Sequence, residues 1–214
     1  MHIPDGFISP KVYLPAYGAA AVLWAHGLRR ARRVLDEETI PRLAVLTALA
    51  FVLMMIVVPI PGGTTAHFTG VALLAVVFGV WVAFLSLSMV LLLQALLVGV
   101  GGVTTLPVNA LAVGFVGSVT AAGVYAALKR VHATAGLFVA GWASVVVPAV
   151  VIAVVLGIQP TIAHDAAGRP LFFPFGLSVT LPAVVLPHAL VGIGEGIVTV
   201  FAYRLVDRMA GRAS

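Results

Sequence analysis

The chain has 214 residues, of which 62% are hydrophobic and only 9% are charged, a composition outside the range of soluble globular domains. It contains no cysteine, which excludes disulfides, thiolate chemistry and iron–sulfur clusters. The net charge of +5 does not indicate a nucleic-acid partner, because the lysines and arginines cluster between apolar segments, where they set membrane topology. The composition therefore predicts an integral membrane protein surrounded by lipid.

The apolar segments predict an all-α bundle of transmembrane helices, because about 20 apolar residues cross a bilayer of about 30 Å and no alternating strand pattern is present. Seven helices result if residues 68–98 form two short or tilted helices that turn near Gly79, and a count of six stays open. The predicted spans are 12–28, 43–60, 68–80, 82–98, 107–128, 136–156 and 177–203. Together they form one predicted transmembrane domain, 1–214.

Positive charge is strongly biased to one side of this predicted bundle. All but two of the 12 lysines and arginines fall in the loop after the first span, the loop after the fifth span or the carboxyl-terminal tail. Only Lys11 and Arg169 fall on the other side. Because cytoplasmic loops carry the excess of Lys and Arg, we expect the amino terminus outside and the carboxyl terminus in the cytoplasm. This topology is that of a multi-pass protein of the plasma membrane.

The first two residues carry three nitrogens within chelating reach of one metal ion. The terminal amine, the His2 backbone nitrogen and the His2 imidazole close two fused chelate rings once the metal removes the amide proton. Since the bulk of His2 opposes removal of the initiator methionine, we expect Met1 to remain as a ligand. Three nitrogens in one plane suit Ni²⁺ or Cu²⁺ better than tetrahedral Zn²⁺ and leave room for a fourth donor. The alternative is a terminal histidine without a role.

His67 is the imidazole that we expect as the fourth donor. It is predicted on the same side of the membrane as the amino terminus, at the outer mouth where the first short helix would start. Two alternatives stay open for it, a helix cap and a hydrogen bond in the headgroup region. His164 competes for the same role, but it lies beside Asp165 in a polar loop, which suits it less to a preorganised site.

Polar residues inside the predicted spans indicate function, because they are costly in a bilayer. Glu195 follows His188 by seven residues in the last span and lies on nearly the same helical face. The pair could orient the amino-terminal segment, bind its backbone or relay a proton displaced by the metal. A hydrogen-bond network between helices is an equally good interpretation. The other candidates around the metal are Asp5, Thr64, Gln94 and Asn109.

Four motifs resemble the CbiM/NikM family, the substrate-capture components of energy-coupling-factor (ECF) transporters for Co²⁺ and Ni²⁺. They are MHIPDGF at 1–7, GGTTAHFTG at 62–70, QALL at 94–97 followed by Gly101-Gly102, and HALVGIGEG at 188–196. The resemblance covers nearly the whole chain in order. It implies that the Met1 amine, the His2 backbone nitrogen, the His2 imidazole and the His67 imidazole bind the metal. It also implies a six-helix core with one extra amino-terminal helix.

The resemblance further implies the partners of the chain. These are a transmembrane coupling subunit and two cytoplasmic ATPases, with or without a small accessory membrane subunit. The chain has no G-x-x-x-x-G-K-[ST] phosphate loop, so ATP hydrolysis is expected from the partners. We therefore predict a transporter subunit that is not an enzyme, has no catalytic residue and needs no cofactor. Its substrate is Co²⁺ or Ni²⁺, captured from outside.

Two positions depart from the family pattern. An acidic residue often precedes the Gly101-Gly102 pair in the family and an asparagine lies near position 112, but this chain has Val100 and Ala112 there. Any role of those groups near the metal is therefore absent. The sequence does not choose between Co²⁺ and Ni²⁺.

Two functions of other classes stay open on the residues alone. A self-sufficient secondary transporter of a divalent metal ion would be coupled through Glu195, but such folds show internal repeats and no convincing repeat is present. An intramembrane hydrolase would use His188 and Glu195, but the H-E-x-x-H and G-x-S-x-G motifs are missing. Proton-coupled uptake without ATPases would favour the first alternative.

Overall fold

The structure of the chain, a computed structural model, describes residues 2–60 and 64–212. Helices dominate it. The elements are α1 (Pro10–Ala31), α2 (Thr39–Met54), β1 (Val57–Ile60), β2 (Thr64–His67), α3 (Val71–Phe78), α4 (Val80–Leu93), α5 (Leu106–Asn109), α6 (Gly117–Gly157), α7 (Gln159–Ile162) and α8 (Leu177–Arg212). Two π-helical segments, Gln94–Val98 and Ala110–Val116, extend α4 and α5 respectively.

Three helical stretches among the described residues are long and apolar enough to cross a membrane. They are Val80–Val98, Leu106–Ile162 and Leu177–Met209. A shorter apolar helix, Thr39–Met54, accompanies them. The prediction of a mostly helical membrane protein is thereby confirmed.

The longest of these stretches folds back on itself at His132, whose backbone leaves the helical region (φ −155°, ψ 100°). A Cβ placed on Gly117 would lie 3.2 Å from the Ser144 carbonyl oxygen. A straight helix would separate these two residues by about 40 Å. Helix α6 therefore consists of two antiparallel arms, 117–131 and 133–157, which match the two predicted spans 107–128 and 136–156.

The predicted turn near Gly79 is also present. Gly79 separates α3 from α4 with φ +85° and ψ 167°, a region of backbone space that is essentially restricted to glycine. Helix α3 has only eight residues and is about 12 Å long. Its residues Val71–Ala75 are all buried, so α3 is a short inner helix of the bundle.

A β-hairpin corrects the prediction of a span at 43–60 and of a chain without strands. Helix α2 ends at Met54, and β1 pairs antiparallel with β2 so that Val57 lies opposite His67. His67 consequently lies on a strand, and the following helix begins only at Val71. The hairpin escapes sequence reading because its strands have four residues each, and the apolar residues of β1 continue the apolar run of α2.

Glycines allow α6 and α8 to pack with their backbones in contact. A Cβ on Gly141 would lie 2.7 Å from the Gly196 Cα, and a Cβ on Gly192 would lie 3.0 Å from the Trp142 side chain. The Trp142 indole donates to the Ala189 carbonyl at 3.0 Å. Such small-residue contacts are the usual means of close helix association in membranes. They fix α8 against the rest of the bundle.

The basic residues gather at one end of the bundle, and the amino-terminal segment lies at the other. Arg204 donates to Thr134 beside the bend of α6. A cleft of about 350 Å³ brings Arg42 at the start of α2 together with Tyr203 and Asp207 near the end of α8. Helix α1 has 22 residues and is therefore about 33 Å long. It separates this basic end from the segment that precedes Pro10.

We expect Gly141→Val to lower the melting temperature of the purified protein strongly. The added Cβ would lie 2.7 Å from the Gly196 Cα and 3.0 Å from the Glu195 carbonyl oxygen, and neither atom is the movable end of a side chain. Overpacking of this kind costs about 1–3 kcal/mol.

Gly123→Ala is the matched control, because no atom lies within 4 Å of a Cβ at that position. It should leave the melting temperature unchanged or raise it slightly, since alanine is the better helix former. Equal melting temperatures for the two variants would contradict the close contact of α6 and α8.

Candidate metal centre

The amino-terminal segment is extended and runs into the protein interior. His2 is only 4% exposed, and Ile3 and Ile8 are fully covered, at 0% and 1%. The segment has no secondary structure of its own before Pro10. Its peptide groups must therefore find partners elsewhere, since an unpaired peptide group inside the protein costs about 1–3 kcal/mol.

Asn109 and Thr105 hold the peptide groups on both sides of Ile3. The Ile3 N–H donates to Asn109 Oδ1 at 2.9 Å, and Asn109 Nδ2 donates back to the Ile3 carbonyl at 3.1 Å. The Thr105 hydroxyl donates to the same carbonyl at 2.6 Å. This two-way clamp fixes the register of the segment one residue after His2. Thr105 was not among the residues that the sequence singled out.

The Gly101-Gly102 pair lets the segment approach closely. Gly101 has φ +82°, and a Cβ there would lie 3.3 Å from the His2 Cβ. A Cβ on Gly102 would overlap the Asp5 carboxylate. The motif is thus explained by a close approach of backbone to the metal-binding segment.

Asp5 fastens the segment to the loop that follows the glycine pair. Its carboxylate accepts hydrogen bonds from the N–H groups of Val103 at 3.1 Å and Thr104 at 2.9 Å, and from the Thr104 hydroxyl. Desolvation raises the pKa of Asp5, but the hydrogen bonds from Thr104 and Val103 outweigh it and hold the pKa below its usual value. The anion is therefore the form that this loop binds.

The two histidines of the predicted site are in direct contact. The imidazole rings of His2 and His67 stack with their centroids 4.4 Å apart and their planes inclined by 18°. His67 Nδ1 lies 2.8 Å from the Phe68 carbonyl, which can only accept, so Nδ1 carries the proton and Nε2 has a free lone pair. His67 Nε2 and both ring nitrogens of His2 are buried and have no hydrogen-bond partner among residues 2–60 and 64–212.

The electrostatics of this pair suit a metal cation. Burial lowers the pKa of His2 and of His67 well below the usual value for histidine. Both rings are therefore neutral near pH 7 and can offer lone pairs. Buried polar atoms without partners call for an explanation such as an ion, and the donors here are the nitrogens that Ni²⁺ and Co²⁺ accept.

In a planar complex, the fourth metal ligand, which is predicted to be His67, would lie next to the His2 imidazole. Two fused chelate rings order the three chain-end nitrogens as amine, amide and His2 Nδ1, so a fourth donor in the plane is adjacent to His2 Nδ1. Adjacent donors with metal bonds of about 2.0–2.1 Å lie about 3 Å from each other. The rings of His2 and His67, with their centroids 4.4 Å apart, are close enough for both to supply a nitrogen to one ion.

Glu195 binds the loop after His67. Its carboxylate accepts from the Thr69 N–H at 2.8 Å, from the Thr69 hydroxyl at 2.9 Å and from the Gly70 N–H at 2.7 Å. A Cβ on Gly194 would lie 2.6 Å from the Phe68 ring. Helix α8 thus holds the chain on the side of His67, whereas α5 holds the amino-terminal segment.

The other predicted residues differ in their placement. His188 is fully buried, and its Nδ1 lies 2.7 Å from the Val184 carbonyl of its own helix. Gln94 is fully buried, with Nε2 4.0 Å from the Met55 sulfur and with Oε1 unpartnered. His164 is exposed, and its Nδ1 lies 3.2 Å from the Asp165 carbonyl oxygen.

Two predicted site residues fall beyond what the structure describes. Met1 lies outside the described residues, and Thr64 lies in β2 opposite Ile60 while its side chain is outside them. Within 2–60 and 64–212, no three His, Asp or Glu side chains converge on one point. The described part of the site is therefore a pair of imidazoles, to which main-chain nitrogens must be added to complete a ligand set.

The sequence and the fold match a known protein family. The family model of the cobalt uptake substrate-specific transmembrane region, CbiM, matches residues 2–213. The chain belongs to the CbiM family. A crystal structure of a truncated transition metal transporter is 35% identical and superposes with a TM-score of 0.93, covering 97% of this chain and 99% of that one.

Relatives in the family are transport proteins. The fused nickel transport protein NikMN of Rhodobacter capsulatus is 41% identical over 208 residues, which are 93% of this chain and 59% of that protein. The cobalt transport protein CbiM of Chlorobium limicola is 31% identical over 214 residues, which are 98% of this chain and 82% of that protein. The chain thus spans well under two thirds of the length of the fused relative.

We expect Asn109→Ala to weaken Ni²⁺ binding by the purified protein about 10- to 100-fold, the usual effect of removing a group that orients metal ligands. The substitution leaves the Ile3 N–H without its partner and frees the segment that carries His2. Isothermal titration with Ni²⁺ measures the effect.

Ser118→Ala is the matched control in the adjoining helix. Ser118 is fully buried, but its hydroxyl has no hydrogen-bond partner, so its removal should leave affinity unchanged. Equal affinities for the Asn109 variant and this control would show that the clamp on Ile3 does not position the metal ligands.

Proposed function

We propose that the chain is the substrate-binding membrane subunit of an ATP-driven, ECF-type importer that captures Ni²⁺ or Co²⁺ from outside the cell. The ion is held by the Met1 amine, the His2 backbone nitrogen, His2 Nδ1 and His67 Nε2. The single observation that supports this most is the contact of two buried, neutral imidazoles whose outward nitrogens have no protein partner.

The surroundings of the pair support a preorganised site. The clamp on Ile3 and the anchored Asp5 carboxylate leave His2 little freedom. On the other side, Glu195 binds the backbone two residues after His67. Because both ligand-bearing segments are held before the ion arrives, little conformational entropy is lost when it binds.

We further propose that residues 1–214 form one transmembrane domain of seven helices in the plasma membrane. These are α1, α2, α3, α4, the two arms of α6, and α8, with α1 as the addition to a six-helix core. The clustering of basic residues at one end of the bundle supports an amino terminus outside and a carboxyl terminus in the cytoplasm.

The partners proposed are a transmembrane coupling subunit, two cytoplasmic ATPases that hydrolyse ATP, and a small accessory membrane subunit. The Rhodobacter capsulatus nickel transport protein is a fused protein, of which this chain matches 59%, and this supports an additional component beside the present chain. The chain itself is proposed to need no cofactor and to perform no catalysis.

The two alternative functions lose support from the contacts of His188 and Glu195. Both oxygens of Glu195 are occupied by donors from Thr69 and Gly70, which does not suit a freely exchanging proton carrier. His188 Nδ1 bonds to the Val184 carbonyl while the Glu195 oxygens bond to Thr69 and Gly70, so these two side chains are not hydrogen-bonded to each other as the paired base of a hydrolase. We therefore prefer the substrate-binding subunit.

His2→Gln should reduce Ni²⁺ affinity at least 100-fold. Glutamine is bulky enough to leave Met1 in place, but it has no imidazole nitrogen, so the second of the two fused chelate rings cannot close. Titration of the purified chain with Ni²⁺ and with Co²⁺ measures the loss and shows which ion the native chain prefers.

His164→Ala is the control for this experiment, because it removes an exposed imidazole predicted on the same side of the membrane. It should bind metal like the native chain. Undiminished binding by the His2→Gln variant would rule out the fused chelate at the chain end and would leave His67 to act in another arrangement.

The proposed topology can be tested with single cysteines, because the chain has none. Ala167→Cys lies in the loop before α8 and should react with a membrane-impermeant maleimide added to intact cells. Val131→Cys lies at the bend of α6, where the side chain is 86% exposed, and should react only after permeabilisation. The reverse pattern would invert the proposed orientation.

A further inference from the structure

His188 presents a second buried nitrogen that the proposed chelate does not use. The side chain is 0% exposed. Its Nδ1 lies 2.7 Å from the Val184 carbonyl, so Nδ1 carries the proton and Nε2 carries a lone pair. That Nε2 has no hydrogen-bond partner among the described residues. A lone pair held in the interior without a donor requires a ligand or an ion to account for it.

The position of His188 follows from the contacts of Glu195. Glu195 binds the Thr69 and Gly70 N–H groups. These bonds fix the position of α8, along its own axis, relative to the end of the hairpin. His188 lies seven residues earlier, about 10.5 Å along the helix and rotated by only about 20°. It is therefore on the same face of α8 as Glu195, displaced towards the amino-terminal end of the helix.

His67 lies close to the same anchor. It is two residues before Thr69, which is about 6.6 Å of extended chain, and it is the last residue of β2, the strand against which α8 packs. Burial is the largest cause of the lowered pKa of His67, and His188 adds a smaller coulombic contribution, as expected of a neighbouring ring. His67 Nε2 and His188 Nε2 are thus two lone pairs in one buried region between α8 and the hairpin.

His188 is not a member of the ligand set that the chain end forms. No three His, Asp or Glu side chains of residues 2–60 and 64–212 converge on one point, and the planar set is complete with one imidazole in addition to the three chain-end nitrogens. His188 therefore has a free nitrogen that the proposed planar set does not use.

We propose that His188 Nε2 is a second docking position, which accepts the divalent metal ion together with His67 when the ion leaves the amino-terminal chelate. This inference rests on the proposed function. The step is a ligand exchange: the bonds to the Met1 amine, the His2 amide nitrogen and His2 Nδ1 break, one bond to His188 Nε2 forms, and water molecules take the two other vacated positions. One metal-bound water gives its proton to the amide nitrogen and stays on the ion as hydroxide, so the total charge is conserved and the oxidation state of the metal ion does not change.

The physical reason for such a position is the strength of the chelate. A bond to a deprotonated amide nitrogen within two fused rings is difficult to break unless another donor stabilises the departing ion. A neutral imidazole is a common ligand for divalent transition metals. His188 would lower the cost of release while His67 keeps hold of the ion. The hydrogen bond to Val184 keeps the ring oriented for this role.

The test uses the full chain with His2→Gln, which removes the imidazole of the chelate but keeps His67 and His188. Co²⁺ alone is titrated, and its visible d–d absorption reports the ligands. We expect weak residual binding in the His2→Gln variant, with a spectrum different from that of the native chain. His188→Gln in the same background should weaken this residual binding at least 10-fold, whereas His164→Gln should not change it.

The same His188 substitution is also measured in the chain with its native amino terminus. His188→Gln alone should change the Co²⁺ affinity of the native chain less than about threefold, because His188 lies outside the planar set. The variant should fold normally, since the lost side-chain bond is to a carbonyl of its own helix. His188→Asn serves as a second variant, and thermal melting of both verifies the fold.

The outcomes separate the two proposals. Native binding combined with residual binding that does not depend on His188, or with no residual binding at all, would overturn the docking position and leave the proposed chelate intact. A more than 10-fold loss from His188→Gln in the native chain would also overturn it, because His188 would then belong to the primary site. Absence of metal binding by the native chain would overturn the proposed function and this inference with it.

Discussion

The metal centre depends on how an extended segment is buried without secondary structure. Each peptide group that leaves water must find a partner, and an unpaired one costs about 1–3 kcal/mol. Asn109 and Thr105 supply partners for Ile3, Gln159 accepts from the Ser9 N–H at 2.9 Å, and the Phe173 N–H donates to the Phe7 carbonyl at 3.1 Å. These bonds fix the register of the segment, and the register places His2 against His67.

Buried peptide groups must also find partners in the segment that carries His67. The residues after β2 expose main-chain N–H groups inside the protein, and Glu195 accepts from two of them. Glycines let α8 approach both the Phe68 ring and α6 without side chains between them. A rigid helix pair thus carries the carboxylate that positions His67. In the proposed function, the bundle contributes to metal binding mainly by holding two weakly structured segments in contact.

Much of the fold could be predicted from the sequence, because hydropathy and charge act locally. The break at Gly79 and the two arms of α6 follow from such local signals. The hairpin could not be predicted, since four-residue strands give no periodic pattern and β1 continues an apolar run. The contact of His2 with His67 follows from coordination chemistry. The partners of Glu195 do not, because a buried carboxylate requires donors but does not reveal that they lie 126 residues earlier.

The central claim is that the chain end and His67 form one planar nitrogen set. X-ray absorption at the nickel edge, recorded on the purified chain loaded with one Ni²⁺, tests it most directly. We expect a four-coordinate, planar shell made only of nitrogen, with imidazole scattering that decreases in the His67→Ala variant. A six-coordinate shell rich in oxygen, or a shell unchanged by removal of His67, would contradict the account.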